Sequence, residues 1–366
     1  MLTVDSLRAD QPWSGYKRAS TPNLLALARR SVVYTSTYSV ANVTTPSLAA
    51  MMSGRYPSEL SRDTCALPAF RYSDSLSEVL SRAGVHTFAG HGHAIFAGAI
   101  APSAGFDEWE LVENAAGRLQ VDGATTGADL ATLLVRFLET RAAKRRFFAW
   151  AHFVDPHDKY VPHPEFPPTV TPQRGLYDGE VAYTDFQIGR VLGALDRAGL
   201  GEKTAVIVTA DHGESFGEHQ RYRHGFSLHE EEVRVPLMLR VPGVEPRVVG
   251  VTRSTIDLAR TVAHLLGVPP AEVWRGASLV DDWGGAPVAR TAIVDVPDHG
   301  AHVAQRAVVA GHVKVMFRGS QPTAAYDLVN DPREERPLKA QDLVKVSAAA
   351  GSLGHLPEVE GDVCQQ

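Results

Sequence analysis

The chain predicts an α/β fold with a mainly parallel central sheet, followed by a small antiparallel α+β subdomain at its C-terminal end. Apolar, β-rich runs alternate with helix-period segments over most of the sequence, which argues for strands linked by helical crossovers. From about Pro287 the segments shorten and follow one another closely, as in consecutive antiparallel strands. The 366 residues, 44% of them hydrophobic, suffice for one large domain and a smaller appendage. The expected boundaries are 1–286 and 287–366.

Residues 1–4 read as a short buried strand running into Asp5. Thr21 and Pro22 open a helix, a capping residue followed by the residue that fits the first helical position. Leu24, Leu25, Leu27 and Ala28 give that helix its apolar face. In Asn42-Val43-Thr44-Thr45-Pro46-Ser47 the expected N-cap is Thr45, with Pro46 first in the helix and Gly54 its stop, so Thr44 sits just before the N-terminus. Ser75-Leu76-Ser77-Glu78 is a capping-box pattern and Gly84 a stop. Residues 129–143 predict an amphipathic helix, 147–154 a strand ending in Asp155, and 179–198 a long helix stopped at Gly199. Residues 204–209 are a β-branched strand ending in Ala210-Asp211-His212. A strand over 237–241, a helix over 257–266 and short strands over 291–296, 305–310 and 313–317 follow. The tail after Leu353 reads as loosely ordered.

Lys plus Arg is 36 against 42 for Asp plus Glu, a formal charge of -6, so no electrostatic footprint for nucleic acid exists. A local basic pocket for a small anion stays compatible with that balance. Neither a charged leader nor an apolar h-region is visible at the N-terminus, and no apolar run reaches bilayer length. The expectation is a cytoplasmic protein without a membrane segment; oligomeric state is not readable. The two cysteines, Cys65 and Cys364, are far apart and form neither a zinc spacing nor a disulfide framework.

Three strands thus end in acids, Asp5, Asp155 and Asp211. In open parallel sheets, ligands bind beyond the carboxyl ends of the strands. Asp5, Asp211 and His212 offer two carboxylates and an imidazole, a donor set for a divalent cation. Any one such acid alone reads better as a turn cap. Thr44, at a helix N-terminus, lies where backbone N–H groups and the helix dipole favour an anion.

A resemblance joins these pieces. Thr44-Thr45-Pro46-Ser47-Leu48-Ala49-Ala50-Met51-Met52-Ser53-Gly54-Arg55-Tyr56-Pro57 resembles the sulfatase signature C-x-P-S-R-x-x-L-x-T-G-x-Y-P of the alkaline-phosphatase superfamily. Val4-Asp5-Ser6-Leu7-Arg8-Ala9-Asp10 and Val208-Thr209-Ala210-Asp211-His212-Gly213-Glu214 resemble that family's two metal segments. Thr21-Pro22-Asn23-Leu24, Gly105-Phe106-Asp107-Glu108, Asp155-Pro156-His157 with Tyr160, and Tyr177-Asp178-Gly179-Glu180-Val181 are similar to further family motifs. So are the run from His224-Gly225 to Val235-Pro236-Leu237 and the closing Tyr326-Asp327-Leu328 with Asn330-Asp331-Pro332. Each motif is weak; their order and spacing along nearly the whole chain are specific.

The resemblance implies an alkaline-phosphatase-like sandwich and a metal-dependent hydrolase of sulfate or of phosphate and phosphonate esters, including diesters. One divalent metal is held by Asp5, Thr44, Asp211 and His212. Thr44 is the nucleophile, and His157 and His224 contact the transferred group and the leaving oxygen, one of them as general acid. Four departures qualify this. Thr44 replaces the cysteine that becomes formylglycine, which a threonine cannot form, so the geminal-diol route is lost and phosphorus esters gain weight. Leu48 replaces an arginine. Ser6 stands for a second aspartate and His212 for an asparagine, so manganese or zinc joins calcium as a candidate ion. The G-K-W-H motif is missing, with His93 nearby. Competing readings are a phospho-head-group transferase and a catalytically silent anion-binding relative. Loops over 94–102 and 162–174 are the expected leaving-group pocket. His152 reads as core, His219 and His229 as supports behind the metal, and Asp298, His299 and His302 as a second-metal option of lower rank.

Overall fold

In the computed structural model the chain runs β1 (Leu2–Val4), α1 (Pro22–Ala28), β2 (Val32–Tyr38), α2 (Thr44–Ser53), β3 (Ser61–Arg62), β4 (Phe70–Arg71), α3 (Leu76–Arg82), β5 (His86–His91) and β6 (Glu108–Leu111). Next come α4 (Gly127–Thr140), β7 (Phe147–Phe153), α5 (Pro172–Arg197), β8 (Val206–Ala210), β9 (Ser215–Phe216), β10 (Tyr222–Arg223), α6 (Glu230–Val233) and β11 (Arg234–Arg240). The last are β12 (Arg247–Val249), β13 (Arg253–Ser254), α7 (Leu258–Leu265), β14 (Ala292–Val296), β15 (Gln305–Ala310), β16 (Val313–Arg318) and β17 (Gln321–Asp327). The structure describes all residues except 12, 14, 17–19, 64, 66–67, 98–102, 114–124, 168–171, 300–301, 340, 344–345, 347–349, 351–359, 361 and 363–366. Most of the tail after Leu353 and parts of both expected pocket loops lie outside the described residues.

The large sheet has the order β12-β2-β11-β8-β1-β7-β5-β6, with β13 beside β2. β1 is parallel to β7 and β8, β5 to β6 and β7, and β13 to β2; β11 runs antiparallel to β8. The expected mainly parallel sheet is therefore present. β1 and β8 are buried at every residue, because helical crossovers cover both faces of such a sheet, and this is why they read as short β-branched, mostly apolar runs.

The chain divides into two compact units. The first comprises Met1–Thr35, Ser77–Ala210 and Pro236–Val248 and holds most of the sheet. Its α4 buries Leu130, Leu134, Phe137 and Leu138, the spacing of one helical face. Its α1 begins at Pro22 as expected, but the Thr21 side chain makes no cap hydrogen bond. Asp185 of α5 accepts from the Asn23 and Leu24 N–H groups instead, at 3.1 and 2.7 Å. α5 starts at Pro172, earlier than the expected 179.

The second unit comprises Ser36–Leu76, Asp211–Val235 and Val249–Gln366. It contains the small antiparallel sheet β14-β15-β16-β17. β17 escaped the sequence reading: Gln321-Pro322-Thr323-Ala324 has weak strand character, and pairing with β16 creates it. Val294, Val296, Ala307, Val309 and Met316 pack there with Tyr38, Leu228 and Val233. Fully buried Lys314 lies 3.1 Å from Glu230 and 3.0 Å from Glu334, and those acids hold its ammonium charged against the cost of burial. Cys65 is disulfide-bonded, contrary to the reading from cysteine spacing. The spacing rule reads clustered cysteines and is silent on an isolated one; the chain's other cysteine, Cys364, lies outside the described residues.

Candidate active site

β8 ends at Ala210, and Asp211 and His212 follow it fully buried in the second unit. Gly213 N–H donates to Glu232 O at 2.8 Å and Glu214 N–H to Glu231 O at 2.9 Å, clamping the turn. Only glycine fits at 213, where a Cβ would meet the Glu231 carbonyl oxygen at 2.1 Å. The Ser47 hydroxyl donates to the Asp211 carbonyl at 2.5 Å, tying the first turn of α2 to the same segment.

Thr44 is itself the first residue of α2, after extended Val43, and Ser47 N–H closes the first turn on Val43 O at 3.3 Å. This corrects the expectation that Thr45 caps the helix and Pro46 begins it. The N-cap residue, Val43, has no side chain that could cap α2, and the unpaired N–H groups of a helix start favour negative charge beside Thr44.

His212 Nδ1 lies 2.9 Å from Gly213 O. A carbonyl can only accept, so the proton is on Nδ1 and the lone pair on Nε2. Nε2 is 3.2 Å from Thr44 Oγ1 and 3.5 Å from Asp211 Oδ2. The His224 ring centroid is 4.3 Å from that of His212, and its Nδ1 donates to fully buried Glu214 at 3.1 Å. The second unit thus brings Thr44, Asp211, His212 and His224 into one cluster. A carboxylate, an imidazole lone pair and a hydroxyl, with the other imidazole nitrogen anchored on a carbonyl, fit a divalent cation.

Asp5, His157 and His93 belong to the first unit. Asp5 directly follows β1, whose Val4 pairs in register with Ala210 of β8 within the same unit. Asp5 N–H donates to Phe153 O at 2.8 Å, and its Oδ1 accepts from Ser6 Oγ at 2.9 Å. His157 is half-buried, its Nδ1 engaged by Asp158 O and its ring centroid 5.9 Å from that of His93.

Asp155 does not follow the strand-end expectation. It accepts from Gly127 N–H at 3.1 Å at the start of α4, and burial pushes its carboxyl up to about 6. It works as a turn and helix cap, the role that a lone strand-end acid normally has. His219 and His229 stack on each other at 3.7 Å. His219 Nδ1 and Nε2 meet Glu231 at 2.8 Å and Glu334 O at 3.1 Å. Two acceptors require two N–H groups; burial is the largest single influence and opposes the charge, but the hydrogen bonds and charges of Glu231 and Glu334 together outweigh it and raise the His219 pKa. Parallel rings so close cannot both aim in-plane lone pairs at one ion, so this pair is no metal centre. Asp298 is paired with Arg62 at 3.0 Å.

Two residues escaped the sequence reading as site members. Glu214 orients His224; its signal was its place in Asp211-His212-Gly213-Glu214. Glu232 accepts from Ser215 Oγ, Ser227 N–H, Phe226 N–H and Asn42 Nδ2 at 2.9 to 3.2 Å, knitting the loop after His224 to the chain before α2. Burial lifts its carboxyl to about 7.

A family model described as Sulfatase matches residues 1–268. The choline-sulfatase of Rhizobium meliloti (strain 1021) is 24% identical over 398 residues, spanning 86% of this chain and 76% of that protein. Among solved structures, the phosphonate monoester hydrolase of Agrobacterium radiobacter superposes with a TM-score of 0.81 at 20% identity, covering 96% of this chain and 93% of the other. A 2-O GAG sulfatase gives 0.78 at 19% identity, with 96% and 89% covered. At these identities the structural likeness speaks for the fold.

Proposed function

The chain belongs to the sulfatase family of ester hydrolases, and from that premise we propose that it cleaves anionic phosphate, phosphonate or sulfate esters, diesters included, through a covalent intermediate on Thr44. The observation that carries this reading is the 3.2 Å approach of Thr44 Oγ1 to the lone-pair nitrogen of His212, beside buried Asp211. Asp211, His212 and Thr44 would hold one divalent ion, and the resemblance of Val4-Asp5-Ser6 to the family's N-terminal metal segment adds Asp5 as a further ligand. Such an ion, when bound, lowers the pKa of a hydroxyl and offsets the charge of an anionic substrate. The imidazole in the set favours manganese or zinc alongside calcium.

The Thr44 hydroxyl gives up its proton to solvent and its Oγ1 attacks the phosphorus or sulfur, and the bond to the ester's leaving oxygen breaks as the new Oγ1 bond forms. His224, its Nδ1–H held by Glu214, gives the leaving oxygen a proton from Nε2; His157 is the alternative donor. Water then attacks the Thr44 ester and restores the hydroxyl, giving phosphate, phosphonate or sulfate from a monoester and a phosphate monoester from a diester. A threonine cannot become formylglycine, so no maturation enzyme is needed, and phosphorus esters are preferred. Intact-mass measurement after quenching turnover of a slow phosphate diester should find an adduct on Thr44. An unmodified chain during rapid turnover, or full activity in Thr44→Ala, overturns the covalent route.

A further inference from the structure

β7 carries His152 beside Thr3 of β1, in register and with no exposed surface. The indole Nε1–H of Trp150, which can only donate, gives its hydrogen to Thr3 Oγ1 at 2.9 Å. Thr3 Oγ1 lies 2.8 Å from His152 Nδ1 and 3.3 Å from Ala151 O. On the far side of the ring, His152 Nε2 is 3.4 Å from Asp5 Oδ2. A lone pair on Nε2 would confront that carboxylate, so the proton belongs on Nε2, and Nδ1 accepts from the Thr3 hydroxyl. The direction of donation is therefore Trp150 to Thr3 to His152, and the Nε2–H faces Asp5 Oδ2 at ion-pair distance without closing a hydrogen bond.

We propose that His152 is a positioning residue for Asp5, its Nε2–H facing Oδ2 at 3.4 Å while Thr3 and Trp150 keep the ring in that tautomer. Ser6 holds the other oxygen at 2.9 Å, and the Tyr177 hydroxyl pins the turn by donating to Ser6 O at 2.8 Å. With Ser6 donating to one oxygen and the His152 N–H facing the other, the carboxylate is oriented before any cation arrives. The inference rests on the reading that Asp5 is a metal ligand. It gives a fully buried histidine a task that simple core filling does not.

The test is calorimetric titration of chelator-stripped protein with Mn²⁺, with unfolding of the metal-free forms followed in parallel. His152→Leu should weaken Mn²⁺ binding about 10- to 100-fold, the usual effect of losing a partner behind a metal ligand. His152→Gln, whose amide N–H₂ reaches the place of Nε2, should restore most of the affinity. Thr3→Val, which keeps the β-branched shape of a buried strand residue but removes the hydroxyl, should weaken binding in the same direction. Unchanged Mn²⁺ affinity in Thr3→Val and in whichever His152 variant folds would overturn the inference and return His152 to core packing. If wild type bound Mn²⁺ but Asp5→Asn did so equally well, the assignment of Asp5 as a ligand would fall first, and this inference with it.

Discussion

Glu214 Oε1 lies 3.1 Å from Nδ1 of His224, and the acid that makes this contact has no exposed surface. A buried carboxylate on one imidazole nitrogen fixes the ring's orientation and leaves the other nitrogen to work. Glu214→Ala should therefore lower kcat about 10- to 100-fold, within the range of a positioned acid–base group. Glu214→Gln, which keeps an acceptor oxygen, should lose less. Steady-state kinetics on both variants, with KM little changed, is the check. Equal loss of kcat in the two would show that charge rather than orientation matters.

Thr44 separates chemistry from folding. It is the first residue of α2, and losing one hydroxyl at a helix start should cost only about 1 kcal/mol in denaturant unfolding of Thr44→Ala. Turnover should nonetheless vanish. Thr44→Ser keeps the attacking oxygen and should retain part of the rate.

Asp211 is expected to govern metal content. Elemental analysis of purified protein should find about one divalent ion per chain, in keeping with a single cluster of hard and borderline donors. Asp211→Asn should lose ion and activity together, and chelation of wild type should abolish activity until the ion is returned. A metal-free, fully active enzyme would defeat this assignment.

Glu180 supplies a pH signature in the first unit. Burial lifts its carboxyl from 4.5 to about 7, opposed by the hydrogen bond to His163 at 2.8 Å. The folded form thus holds the Glu180 proton more tightly than the unfolded chain does. Its contribution to stability is fully present below pH 4.5 and is lost as pH rises through about 7. Glu180→Gln, always neutral and still able to accept from Val161 N–H, should gain melting temperature relative to wild type between pH 5 and 8. Calorimetric scans at both pH values test the sign, and parallel profiles for the two proteins would refute it.

Much of this molecule follows from sequence alone, where local physics decides. Short β-branched, mostly apolar runs ending at Val4 and Ala210 announce buried parallel strands, and the residues after them, Asp5 and Asp211, stand where such sheets place ligands. The order of motifs around Thr44, Asp211 and His224 announces the family. Tertiary structure decides whatever depends on a partner distant in sequence. Asp155 looks like Asp5 in sequence, yet Gly127 at the start of α4 claims it as a cap. The tautomer of His212 depends on the turn that aims Nδ1 at Gly213 O, and Glu214 gains its role only when the chain folds His224 back onto it. β17 exists because β16 offers it a ladder, and Thr44 enters the helix because Val43 is extended before it. Sequence periodicity reports which face of an element is buried. It cannot report which polar atom that burial will force into a hydrogen bond, because the cost of leaving the atom unpaired is settled by neighbours from elsewhere in the chain.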